Sequence, residues 1–67
     1  MKNTIEQITS KFGFGMSVEE LASRVYVELE ALGFEPCLVN DRYVEVNGTT
    51  YQLRKMRSKG HWTVREF

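Results

Sequence analysis

Between Ser17 and Pro36 the apolar residues Val18, Leu21, Ala22, Val25, Leu29 and Leu32 recur with helical spacing, and Glu19, Arg24, Glu28 and Glu30 fall mostly outside that stripe. The pattern predicts an amphipathic helix over residues 18–32 with a signal at each end. Ser17 followed three residues later by Glu20 has the spacing of a capping box, and Met16 with Leu21 supplies the apolar pair of a hydrophobic staple. At the other end Gly33 is suited to a left-handed cap, Phe34 to packing back on Leu29, and Pro36 to stopping the helix.

A shorter helix is expected before it. Thr4 and Gln7 repeat the capping-box spacing, Ile5, Ile8 and Phe12 share one face, and Gly13 ends the run. An element of about two turns is not stable alone, so it must dock on the rest of the chain, with Gly13 to Gly15 as the hinge.

After Pro36 the helical period gives way to β-branched and aromatic runs separated by turn signals: "CLV", "RYVEV", "TTYQLRKM" and "HWTVREF". Asn47-Gly48 suits a type I′ hairpin, because both positions tolerate positive φ. Val44, Val46, Tyr51, Leu53, Trp62 and Val64 then share one face, which the long helix covers. Leu53 and Met56 break the alternation, so a bulge near Arg54 and Lys55, or the end of the strand, is expected. The fold class is α+β: a short N-terminal helix, a longer amphipathic helix, and a three- to four-stranded antiparallel β-meander packed on that helix.

Composition adds limits to this picture. With 67 residues, 42% hydrophobic and 27% charged, the chain reads as a single small globular domain over residues 1–67 with a thin core. Such a core gains from extra buried area, which makes a homodimer a candidate assembly. No run approaches the ~18 apolar residues of a membrane span, and no signal-peptide pattern opens the chain. Cys37 is the only cysteine, so no internal disulfide staples the fold, and a cytoplasmic location is expected. The default reading of Cys37 is a small buried hydrophobe.

Charge is what raises a function. The formal net charge is zero, but residues 1–33 hold three basic and five acidic side chains and residues 34–67 hold six and four. Five of those six bases, Arg54, Lys55, Arg57, Lys59 and Arg65, fall in the last hairpin. Clustered Lys and Arg neutralise several phosphates at once and release counterions, and a two-stranded ribbon fits a DNA major groove. His61, Tyr43 and Tyr51 are the rings available to stack on unpaired bases if they face outward. The alternative for the same bases is a solvated face that keeps an edge strand from pairing with other chains.

Catalytic chemistry finds no support in the spacing. His61 lacks an evident nucleophile, base or orienting partner, and one cysteine with one histidine falls short of a structural zinc set. The chain therefore reads as non-enzymatic, with no cofactor and no metal site. Two readings stand. One is a nucleic-acid-binding or regulatory module contacting DNA or RNA through Arg54, Lys55, Arg57, Lys59, His61 and Arg65. The other is a protein-interaction module, a small inhibitor or adaptor of the kind phages and mobile elements encode, binding through a sheet edge or the flank of the long helix with Tyr26 and Trp62 as anchors.

Overall fold

The computed structural model describes residues 1–12, 15–56 and 61–67, the side chains of Lys55, Met56 and His61 excepted. Two helices, α1 (Lys2–Phe12) and α2 (Val18–Ala31), precede four strands, β1 (Cys37–Asn40), β2 (Tyr43–Val46), β3 (Thr49–Met56) and β4 (His61–Glu66). The strands form one antiparallel sheet in the order β1-β2-β3-β4, a meander. The expected α+β architecture is the one observed.

The ends of α2 follow the local chemistry. The Ser17 hydroxyl accepts from the Glu20 amide at 3.2 Å and the Glu20 carboxylate reaches back to the Ser17 amide at 3.5 Å, closing the capping box. At the C-terminus Gly33 adopts φ 93°, its amide donates to the Glu30 carbonyl at 3.0 Å, and the Phe34 amide donates to the Leu29 carbonyl at 3.0 Å. This pair of bonds is a Schellman motif, and it carries Phe34 onto the core beside Leu29. Leu32 is the cap residue rather than the last helical one, so it lies past the buried stripe and is 60% exposed.

Helix α1 begins earlier than the Thr4 signal implies. It starts at Lys2, the Ile5 amide donates to the Met1 carbonyl at 3.1 Å, and Thr4 lies inside the helix and not at its cap. Ile5 and Ile8 are buried as expected, and Thr9 joins them because its hydroxyl donates to the Glu6 carbonyl at 2.9 Å. Of the hinge expected at residues 13–15, only Gly15 is among the described residues; it has φ 76°.

The two helices divide one face of the sheet. Helix α2 packs on β1, β2 and β3, while α1 packs on β4 and on α2, so the short helix completes a layer that the long one does not span alone. Between the layers lie Ile5, Ile8, Leu21, Ala22, Val25, Leu29, Val44, Val46, Tyr51, Leu53 and Val64, with Trp62 partly buried against them. The six strand residues expected on one face are all there. Arg24 of α2 sits 4.4 Å from the centre of the Phe12 ring and ties the helices together at their outer surface.

The ladder between β3 and β4 is regular from Tyr51↔Glu66 to Met56↔His61. The bulge expected near Arg54 and Lys55 is absent, and the strand does not end there; the register shift lies instead in β1, between Leu38 and Asn40. That short strand bends where the Arg42 amide donates to the Asn40 side-chain oxygen at 3.1 Å, a turn that consumes one ladder position.

Asn47 (φ 54°) and Gly48 (φ 79°) form the two-residue turn between β2 and β3, flanked by the Val46↔Thr49 pair. A Cβ at Gly48 meets nothing within 4 Å, so any cost of Gly48→Ala is the backbone's alone. We expect a loss of about 1–2 kcal/mol, which for a domain of this size lowers Tm by about 4–8 °C per kcal/mol. Thermal unfolding checks this, and an unchanged Tm contradicts the assignment of the turn.

Candidate nucleic-acid interface

Side chains on a strand alternate, so the register assigns each residue to the helix-covered face or to the open one. On the open face β3 presents Thr50, Gln52 and Arg54, and its neighbours oppose them in rows. Arg54 stands opposite Thr63; Tyr43, Gln52 and Arg65 form a second row across β2, β3 and β4; and Glu45, Thr50 and Phe67 form a third. Phe67 belongs to the ladder because its amide donates to the Thr50 carbonyl at 2.9 Å, one step past the end of β4.

Arg54 and Arg65 are diagonal neighbours on this face, a relation that leaves about 7–8 Å between positions and lets long side chains address one ligand. Both are exposed, and among the described residues no carboxylate holds either guanidinium in an ion pair. Glu45 is the acidic residue of the same face, and it stands two rows away from Arg54. Among the described residues of this face, the two cations thus lie on the side of the sheet away from the row that holds Glu45.

The rings complete the surface. Tyr43 and Phe67, from strands on either side of β3, meet above it with ring centres 5.4 Å apart and planes tilted by 51°. Gln52 donates from its amide nitrogen to the Tyr43 hydroxyl at 3.2 Å, and the Arg65 guanidinium lies 5.8 Å from the Phe67 centre. Phe67 remains 65% exposed. Of the three rings named from sequence, Tyr43 is on the open face and Tyr51 is buried in the core, which removes Tyr51 as a stacking residue. Phe67 was missed. Its signal was the outward alternation Thr63, Arg65, Phe67, which continues beyond the last strand residue.

The hairpin also outruns its neighbour. Strand β2 pairs with β3 only as far as Tyr43↔Gln52, with one further bond from the Leu53 amide to the Arg42 carbonyl at 2.9 Å. Beyond it, the pairs Arg54↔Thr63, Lys55↔Trp62 and Met56↔His61 form a two-stranded extension of roughly 10 Å at ~3.4 Å per residue. Lys55 and His61 hold these backbone positions, and their side chains lie outside the described residues, as do Arg57 and Lys59 entirely.

The two residues named for a protein partner are not brought together. Trp62 is on β4, half-buried, and lines a recess of about 250 Å³ with Val18, Arg42 and Leu53. Tyr26 is on α2 at the β1 side, four residues before Glu30 and close enough to feel the Cys37 thiol. Cys37 itself is exposed on edge strand β1, which corrects the expectation of a buried thiol: its position alternates to the open face opposite Glu45. Among the described residues no group of three His, Cys, Asp or Glu side chains is placed to hold a metal ion, and no helix is long and apolar enough to cross a membrane. No family model, curated protein or solved structure matches the chain.

The Glu30 carboxylate beside Tyr26 holds the phenol pKa above 10.0, with partial burial, a hydrogen bond to Glu30 and the Cys37 thiol acting in the same direction. The neutral phenol is favoured in the folded chain, so its contribution is fully present below about 10 and is lost as pH rises through the raised value. Tyrosinate absorbance followed through alkaline titration is expected to lose a step above 10.0 in the Tyr26→Phe variant. Loss of a step at or below that value contradicts the contact with Glu30.

Proposed function

We propose that this chain is a non-enzymatic nucleic-acid-binding or regulatory module of the cytoplasm, whose site is the open face and projecting end of the β3–β4 hairpin. The observation that carries the proposal is the placement of Arg54 and Arg65 as diagonal neighbours on one exposed face with no carboxylate of the described residues engaging them. Guanidinium groups left in that state suit phosphate oxygens, which they meet in bidentate fashion. Gln52 adds the second hydrogen of its side-chain amide, the first being donated to Tyr43, while the Thr63 hydroxyl donates to the Arg54 carbonyl at 3.3 Å. Arg57, Lys59 and His61 are assigned to the same site from their positions in the sequence, whereas Lys55 holds a ladder position opposite Trp62, on the other face from Arg54, and belongs to the proposal only through the projecting extension. The exposed Cys37 thiol suits a reducing compartment.

The second reading, a protein partner at the sheet edge, draws support from β1, where Leu38 and Val39 are exposed on a strand with no charged residue. Its four residues and its register shift blunt that edge, which places this reading second.

The test is the salt dependence of binding to a short labelled oligonucleotide. Each phosphate contact contributes about 0.7 to the slope of log K against log salt for a single strand and about 0.9 for a duplex. The Arg54→Ser, Arg65→Ser double variant is expected to weaken binding and to flatten the slope by about 1.4 or about 1.8 respectively. Stability should change by no more than about 0.5 kcal/mol per substitution, since both side chains are exposed. A slope equal to that of the unsubstituted chain, or no binding at low salt, rejects the proposal and turns attention to the β1 edge.

A further inference from the structure

We infer that the open face takes single-stranded nucleic acid, with one unpaired base stacked on the Phe67 ring beside Tyr43 while Arg65 and Arg54 hold the flanking phosphates. This rests on the nucleic-acid reading above and specifies the form of the ligand.

The first support is the state of the rings. Tyr43 is fixed by the Gln52 hydrogen bond at 3.2 Å and braces Phe67 at 5.4 Å, so the Phe67 ring is positioned while 65% of the residue is open to solvent. An exposed aromatic ring held in place is a platform for any base, because every base has a π face. The second is the charge next to it. Arg65 lies over one part of that ring at 5.8 Å, and Arg54 is the next basic position along the same face, so the ring and the cations follow one line down the hairpin.

The third support is size. At ~4.8 Å between strands, a four-stranded sheet is about 14 Å wide between its outer backbones, wider than the ~12 Å major groove of DNA. The two-stranded extension beyond Gln52 fits such a groove, but the row of Tyr43, Gln52 and Arg65 and the row containing Phe67 belong to the wide part of the sheet. In a duplex, moreover, the base faces are covered by their neighbours. Only an unpaired strand brings phosphates to the arginines and a base face to Phe67 at once.

The experiment measures binding of the full chain to labelled oligothymidylate and oligouridylate of about ten nucleotides, and to a duplex of the same length, across a salt series. Phe67→Leu is the variant, chosen because an exposed residue beyond the last strand leaves the core intact. The expected result is tighter binding of the single strands than of the duplex. Phe67→Leu should weaken single-strand binding by about 5- to 150-fold, the fold-change for one lost base stack, with the salt slope unchanged because no phosphate contact is lost. Stronger binding of oligouridylate than of oligothymidylate assigns RNA as the source, and the reverse assigns DNA. Equal binding of duplex and single strand with no effect of Phe67→Leu overturns the stacking inference and leaves the nucleic-acid proposal standing on the two-stranded extension. Absence of binding to every probe overturns both.

Discussion

The register that the Asn47–Gly48 turn imposes between β2 and β3 decides what every residue in the sheet is for. With a side-chain period of two, pairing Val44 with Tyr51 sends Val46 and Leu53 to the helices and Gln52 and Arg54 to the open face. A slip of one residue would put Arg54 and Gln52 into a core that has no partner for a guanidinium, and would expose Leu53 and Tyr51 to water. The apolar helix layer and the cationic hairpin thus depend on the same turn. A core this small, eleven buried apolar residues among those described, leaves little to stabilise an alternative pairing.

That layer is made by two helices because one is too narrow. Helix α2 covers β1 to β3, and without α1 the buried Val64 of β4 would face solvent. The eleven residues of α1 gain their stability from Ile5 and Ile8 against that strand, not from helix propensity. The strand that carries Arg65 and leads to Phe67 is therefore backed by α1, although it lies at the sheet's edge.

Elements specified by local chemistry could be read from the sequence. Ser17 with Glu20, Gly33 with Phe34, and Asn47-Gly48 each satisfy backbone requirements within a few residues, and each occurs as expected. Features set by long-range pairing were not legible. One local signal misled as well: Thr4 has a capping sequence yet lies inside α1, which extends back to Lys2. Met56 suggested a bulge in β3, whereas the irregularity falls in β1, where the turn at Asn40 shortens the ladder. The site divides in the same way: Arg54 and Arg65 were visible as charge in a hairpin, but the Tyr43–Phe67 pair spans strands separated by β3 and exists only once the sheet is assembled. Tyr26 and Trp62, joined only by residue type in the sequence, are separated by the width of the sheet.

An amide-shift map by NMR of the isotope-labelled chain, titrated with a short single-stranded oligonucleotide at near-physiological salt, tests the central claim that the open face is the functional surface. The account predicts shifts that follow the rows of that face, at Tyr43, Thr50, Gln52, Arg54, Thr63, Arg65 and Phe67, and leave the exposed side of α2 from Glu19 to Glu30 unmoved. Shifts along α2 or confined to β1, or none at all, would contradict it.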